Sequence, residues 1–209
     1  MKIITAHPIA IDSHDHEVPR GALDQQGHEG LEFFTELKVA YPGIKTVLDL
    51  GTGSGWFVNN GVKCGFDAYG IEGTDKVDKL VPWLVFKDVR LFHADLRHPF
   101  YLFNHTTTGG ERALSPLFNL ITAWDVLEHL TEETIDTFLG CIYAMSSKYF
   151  MATIEFTEEG NEGYHTLCKP REWWVGKFRE HGFIEQPFDA IIQKARHSPE
   201  ENCFILKMR

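Results

Sequence analysis

Val47-Leu48-Asp49-Leu50-Gly51-Thr52-Gly53-Ser54-Gly55 is an apolar strand that runs into an acidic residue and then sets three glycines on alternate positions. Absent Cβ atoms at Gly51, Gly53 and Gly55 let the backbone approach a ligand closely or take positive φ, so the turn is a candidate site for a nucleoside cofactor. Spacing narrows the choice. A dinucleotide fingerprint wants its third glycine at position 56, where this chain has Trp56. A phosphate-cradling P-loop needs Gly-Lys-Ser/Thr after its first glycine, and nothing after Gly51 supplies it.

Downstream, Asp67-Ala68-Tyr69-Gly70-Ile71-Glu72 is a second short strand whose final acid lies about twenty residues past Gly51, the distance at which one carboxylate serves two ribose hydroxyls. A third strand, Val89-Arg90-Leu91-Phe92-His93-Ala94-Asp95-Leu96, ends on another acid. Phe118 to Leu130 forms a fourth strand leading into a helical stretch that carries Asp125, Glu128 and His129. Taken singly, Glu72 or Asp95 fits a helix cap as well as a ligand. With the glycine turn, both sit at the carboxyl edge of a parallel sheet, where open α/β folds bind ligands.

The Asp-x-Gly-x-Gly-x-Gly turn and these landmarks, in this order, resemble the motifs of class I S-adenosylmethionine (SAM)-dependent methyltransferases, over roughly residues 28–209. That resemblance implies a turn passing under the methionine part of SAM, with Asp49, Gly51, Thr52, Gly53, Glu72, Asp95, Leu96 and Asp125 around the cofactor. Glu72 would take the ribose and Asp95 the adenine amino group. Asp49 serves either as a ligand or only by ordering the turn.

Strands and helices alternate, the pattern of a parallel sheet covered on both faces. Strands are expected near 45–50, 67–72, 89–95, 118–123, 148–154, 183–189 and 202–208, and helices near 28–40, 55–64, 75–86, 131–146 and 169–181. Pro170 suits the first turn of the last helix and Gly182 its end. Only a short polar linker around Lys194 to Asn202 separates the last two strands, too little for a crossover helix, so they are expected to pair antiparallel. The fold class is therefore α/β, a Rossmann-like, doubly wound seven-stranded sheet with an antiparallel terminal hairpin, as in the methyltransferases and unlike nucleotide-dependent dehydrogenases.

At 209 residues the chain suits one such domain, 28–209, preceded by an arm, 1–27. No apolar run approaches the roughly twenty residues of a membrane span, and the polar N-terminus lacks a signal peptide's order, so a soluble cytoplasmic protein is expected. Cys64, Cys141, Cys168 and Cys203 are scattered without a Cys-x-x-Cys pair, which suggests neither a zinc site nor a disulfide framework. A net charge of −10 and no Lys/Arg cluster argue against a nucleic-acid partner and leave a small-molecule acceptor.

Two segments stand apart from the cofactor half. Residues 1–27, with His7, Asp12, His14, Asp15 and His16, have no period and read as an extended lid; relatives that fold such a segment over the cofactor imply a part in shaping the acceptor pocket. His14-Asp15-His16 reads as a solvated stretch rather than a metal site. The second, 97–117, is a long insertion whose aromatic first half could pack on the sheet and whose Thr106 to Glu111 run reads as a mobile tip.

If a helix begins at Asp125, then Asp125, Glu128 and His129 share one face at i, i+3, i+4 spacing, opening toward the transferring methyl. An imidazole there can take an acceptor's proton, and a carboxylate can fix its tautomer. His165, on a Gly-flanked loop after the fifth strand, reaches the same edge. His129 and His165 are the candidate catalytic residues and point to an oxygen acceptor on a small molecule or saccharide. The four residues also resemble the acid-x-x-Glu-His and later His that bind a divalent ion in small-RNA 2′-O-methyltransferases and ubiquinone-pathway O-methyltransferases. A metal-assisted RNA methyltransferase and a non-catalytic SAM-binding scaffold are the alternatives; a divalent metal at the site is not the favoured reading.

Overall fold

The computed structural model describes residues 1–10, 30–103, 118–157, 163–195 and 198–209. In chain order the elements are β1 (Lys2–Thr5), α1 (Leu31–Ala40), β2 (Thr46–Leu50), α2 (Trp56–Lys63), β3 (Asp67–Glu72), α3 (Val81–Phe86), β4 (Leu91–His93), β5 (Phe100–Phe103), β6 (Phe118–Trp124), α4 (Ile135–Met145), β7 (Ser146–Thr153), α5 (Arg171–Glu180), β8 (Phe183–Glu185) and β9 (Cys203–Met208). Seven strands form one sheet in the order β4-β3-β2-β6-β7-β9-β8. The first five run parallel, while β9 is antiparallel to both β7 and β8, with Met151 opposite Ile205 and Phe183 opposite Met208.

The central strands read as continuous apolar runs because both their faces are covered. Along β2, Leu48 and Leu50 face a layer containing Phe138, Ile142, Trp174 and Phe178 of α4 and α5, and Val47 faces the layer of Phe33, Phe34, Phe57 and Val58 of α1 and α2. The expected seven strands, their pairing sense and the terminal hairpin are all present.

Local boundaries differ for identifiable reasons. The helix expected over 75–86 is two pieces, a 3-10 turn at Asp75–Lys79 and then α3, because Leu80 is extended (ψ 149) ahead of Pro82 in the first helical turn. Thr131 and Thr134 close a polar turn on themselves, so α4 starts at Ile135 rather than 131. Pro170 is the N-cap of α5, one residue before its expected place, and Gly182 (φ 83) follows its end as expected. β8 stops at Glu185, two residues short of Pro187, and the connection to β9 carries 3-10 turns at Ala190–Lys194 and Glu200–Asn202.

A second sheet has no counterpart in the sequence reading. β1 pairs antiparallel with β5, Ile3 opposite Leu102, so the N-terminal arm and the aromatic half of the 97–117 insertion form one ribbon. Phe100 and Leu102 are buried, with Phe100 against Phe138 of α4 and the Leu102 N–H on the sulfur of Met145. The expected tip at Thr106 to Glu111, and Asp12, His14, Asp15 and His16 of the arm, lie outside the described residues.

Candidate functional site

The glycine turn joins β2 to α2 with Gly51, Gly53 and Gly55 all in the left-handed region, at φ 68, 52 and 80. Two of the three are also sterically obligatory. A Cβ on Gly51 would stand 2.5 Å from Val126 Cγ2, and one on Gly55 2.8 Å from Leu91 Cδ1, whereas one on Gly53 would meet nothing within 4 Å. Gly53 therefore presents the open side of the turn. Thr52 beside it is buried, its hydroxyl without a hydrogen-bond partner.

Glu72 closes the turn from β3. Its Oε2 accepts from Gly53 N–H at 2.8 Å, and its Oε1 from the N–H groups of Gly73 and Thr74 at 2.8 and 3.2 Å. A carboxylate offers about four acceptor positions, so the three backbone donors leave about one for a further donor. Burial pushes the carboxyl's pKa up against the pull of those donors. Asp95 is engaged by Arg97, whose Nε and Nη2 reach both its oxygens and whose N–H reaches Oδ1 at 3.0 Å. Burial alone would raise its pKa; the guanidinium outweighs that and holds it below the usual carboxylate range. Leu96 packs its side chain into the core. Asp49 is buried, its Oδ1 accepting from Thr122 Oγ1 of β6 at 2.7 Å.

The N-terminal arm meets this edge. Asp95 N–H donates to His7 O at 2.8 Å, the His7 and His98 rings stack with centroids 3.7 Å apart, and Ala10 N–H donates to Gly73 O at 2.9 Å. Residues 7 and 10 thus lie across the carboxyl ends of β4 and β3.

Beyond β6 the expected helix face is not formed. Asp125 sits at φ 55, outside any helix, and only Leu127–His129 make a 3-10 turn before Leu130 becomes extended. Burial of Leu127 and Leu130 sets that path, and the i, i+3, i+4 argument fails with it. Asp125 instead faces β7: its Oδ1 accepts from Thr153 Oγ1 at 2.6 Å, and its own N–H points back at Thr153.

Tertiary hydrogen bonds assemble the cluster that the helix was expected to build. The Glu128 carbonyl accepts from Thr166 and Leu167 N–H at 2.8 and 2.9 Å, which draws the His165 loop over the turn. Glu128, His129 and His165 then offer one ligand-type atom each within 4.8 Å of one another, and Asp125 is not among them. His129 Nδ1 faces the Tyr164 carbonyl and His165 Nδ1 the Thr157 carbonyl, both at 3.1 Å. A carbonyl only accepts, so each neutral ring carries its proton on Nδ1 and a lone pair on Nε2. Glu128 is fully buried; Oε1 accepts from Glu155 N–H, and Oε2 has no partner. Burial first, then the charge of Asp125, pushes its pKa up to about 8.

A family profile described as a methyltransferase domain matches residues 22–188. The chain belongs to the methyltransferase-domain family. No curated protein sequence matches it. Solved structures of similar fold include a sugar N-methyltransferase from a Streptoalloteichus species, with TM-score 0.62 and 10% identity over 91% of this chain and 90% of that one. An amino pentose methyltransferase of calicheamicin biosynthesis from Micromonospora echinaspora, determined with SAM bound, gives 0.60 and 12% over 90% and 94%. Magnesium protoporphyrin IX methyltransferase from Synechocystis, with S-adenosylhomocysteine (SAH) bound, gives 0.56 and 13% over 88% and 84%. The fold of this chain is thus the class I one that these SAM- and SAH-bound methyltransferases share. No helix among its described residues is long and apolar enough to cross a membrane.

Several contributors had no obvious sequence signal. Thr153, Thr157, Glu155 and Tyr164 act through positions that only the tertiary fold brings near Asp125, Glu128 and the two histidines. Arg97 was findable, since an Asp followed two residues on by a basic residue suits an Asx-type turn closed by its own side chain.

Proposed function

We propose that this methyltransferase moves a methyl group from SAM to an oxygen of a small-molecule or saccharide acceptor in the cytoplasm, with His129 and His165 as the catalytic pair, one imidazole taking the single proton that the acceptor hydroxyl releases and the other holding the site beside it. The observation that carries the reading is the convergence of Glu128, His129 and His165 at the sheet's carboxyl edge. SAM supplies an activated methyl on a sulfonium, so the displacement asks mainly for alignment. A hydroxyl is a poor nucleophile, and it is there that a base contributes. Carbonyls on both Nδ1 atoms place the ring protons there, so the basic nitrogen of each neutral imidazole is Nε2, and burial keeps the neighbouring Glu128 carboxyl protonated up to about pH 8.

In this reading the turn residues Gly51, Thr52 and Gly53 lie under the methionine part of the cofactor, Glu72 meets the ribose and Asp95 and Leu96 border the adenine. Asp125 walls the side toward the acceptor. The arm, as a lid, closes the adenosine end, which the contacts of His7 and Ala10 support. Two of the structural neighbours are named for action on sugars, which favours an acceptor of saccharide size. A net charge of −10 disfavours an RNA acceptor.

A second reading of the same cluster is favoured by the orphaned Glu128 Oε2. Two imidazoles whose Nδ1 atoms are bonded to carbonyls, with a buried carboxyl that a bound cation would ionise, are a two-nitrogen, one-oxygen donor set that fits a divalent transition-metal ion such as Mn²⁺ better than Mg²⁺, which prefers oxygen donors. Bound there, it would supply charge that favours the acceptor's alkoxide.

The test is transfer from labelled SAM to a panel of hydroxyl-bearing small molecules, with His129→Ala and His165→Ala alongside and with chelator present or absent. The proposal predicts labelled product from the wild type, lost in both variants while SAH binding persists. Wild-type rates in both variants contradict the base assignment, and full activity in chelator removes the metal.

A further inference from the structure

We propose that Trp83 is a positioning residue for the cofactor: its indole N–H fixes the Gly53 peptide along which SAM is bound. The inference rests on the cofactor reading above and extends it to a residue outside the glycine motif. Gly53 is the turn's open residue, and it is held at both ends. Its N–H donates to Glu72 on β3, and its carbonyl accepts from Trp83 Nε1 at 2.9 Å, reaching in from α3. With φ 52 and open space where a side chain would stand, Gly53 has no packing of its own to hold it. Its peptide orientation therefore depends on these two bonds.

Trp83 is itself clamped. It is fully buried, and its ring stacks on His93 at 4.5 Å between centroids and 10° between planes. His93 in turn has both nitrogens engaged, Nδ1 with the Glu72 carbonyl at 3.1 Å and Nε2 with Asp78 Oδ1 at 2.8 Å, and Asp78 also pairs with Lys87. The chain Asp78, His93, Trp83, Gly53 thus runs from the surface to the open side of the turn. Trp83 also borders Gly55, where an added Cβ would stand 3.4 Å from Nε1.

Burial alone does not account for the arrangement. Trp124 and Trp174 are equally buried, yet neither indole N–H has a hydrogen-bond partner. Trp83 is the buried tryptophan whose donor is directed at the turn. Trp83→Phe keeps a flat ring against His93 and removes that donor, while Trp174→Phe makes the same chemical change where no bond is lost.

The experiment is calorimetric titration of the full chain with SAH for wild type and the two variants, each first checked for a cooperative melt. A Kd about tenfold weaker in Trp83→Phe, with Trp174→Phe like the wild type, is the expected result, tenfold being what one well-made hydrogen bond is worth. Equal binding by wild type and Trp83→Phe overturns the proposal and leaves the cofactor reading intact. No binding by the wild type defeats the cofactor reading and this proposal with it. An independent readout needs no folded variant of Trp83. In ¹H–¹⁵N spectra of the wild type, an indole signal assigned to Trp83 by ring-to-backbone contacts with Gly53 shifts on adding SAH while that of Trp174 stays. A Trp83 signal unmoved by saturating SAH overturns the assignment.

Discussion

The two halves of the sheet's carboxyl edge are built on opposite principles. On the glycine-turn side, where the proposed function puts the cofactor, Glu72 and Asp95 already hold most of the hydrogen bonds they can accept, from Gly53, Gly73, Thr74 and Arg97. Past β6, Glu128 is buried with one oxygen unpartnered beside two imidazoles. A saturated carboxylate fixes a shape, which is what alignment of a reactive cofactor requires. An unsatisfied buried carboxyl costs stability, and beside two imidazoles it is the group in this edge that calls for a functional explanation.

The contrast breaks most visibly in activity. His129→Ala or His165→Ala is expected to slow methyl transfer about 10²–10⁴-fold, the span of general-base contributions, with SAH affinity unchanged in calorimetry. Loss of SAH binding in either variant would erase the division into halves.

Stability against pH gives the next largest effect. Glu128 has its folded pKa raised from 4.5 to about 8, so the folded chain retains a proton that the unfolded chain gives up across that window. Stability contributed by the neutral carboxyl is complete below the unfolded value and is lost as pH rises toward 8. Linkage caps the loss at about 5 kcal/mol, and structural relaxation brings the expectation to about 2–3 kcal/mol. Denaturation midpoints of wild type and Glu128→Gln between pH 5 and pH 8 check this: the glutamine variant loses that slope. Parallel curves would place the titration elsewhere.

Within the cofactor side, Gly51→Ala meets Val126 at 2.5 Å and a positive φ together, and is expected to lower stability by about 2–3 kcal/mol. Gly53→Ala meets only the positive φ and is expected to cost about 1 kcal/mol. Urea midpoints of the pair measure the difference. Smallest is removal of the arm: a chain lacking residues 1–27 loses β1 and its pairing with β5, should keep the seven-stranded sheet and should bind SAH several-fold more weakly, and unchanged binding and kinetics would remove the lid.

The glycine-turn half of the edge was legible in the sequence, as strands and a turn, because its signals are local. The strand, the alternate glycines and an acid at each following strand end all fall within short windows, and the apolar runs of β2 and β6 announced a sheet covered on both faces. The rest depends on contacts that no window contains. Ile3 finds Leu102 across about a hundred residues. Leu127 and Leu130 pull the chain away from the helix that the spacing of Asp125, Glu128 and His129 suggested, and backbone bonds from Thr166 and Leu167 restore two of those residues to His165 by another route. Residue types pointed to the cluster for a reason that proved wrong, and Asp125 dropped out of it for the same reason.

The central claim is that the carboxyl edge of β2 to β4, organised by Glu72, holds the adenosyl cofactor. Calorimetric titration with SAH, for wild type and for Glu72→Ala checked for fold by circular dichroism, tests it most directly. Micromolar binding by the wild type that disappears in a folded Glu72→Ala is the predicted result; wild-type affinity in Glu72→Ala, or no binding in the wild type, would contradict it.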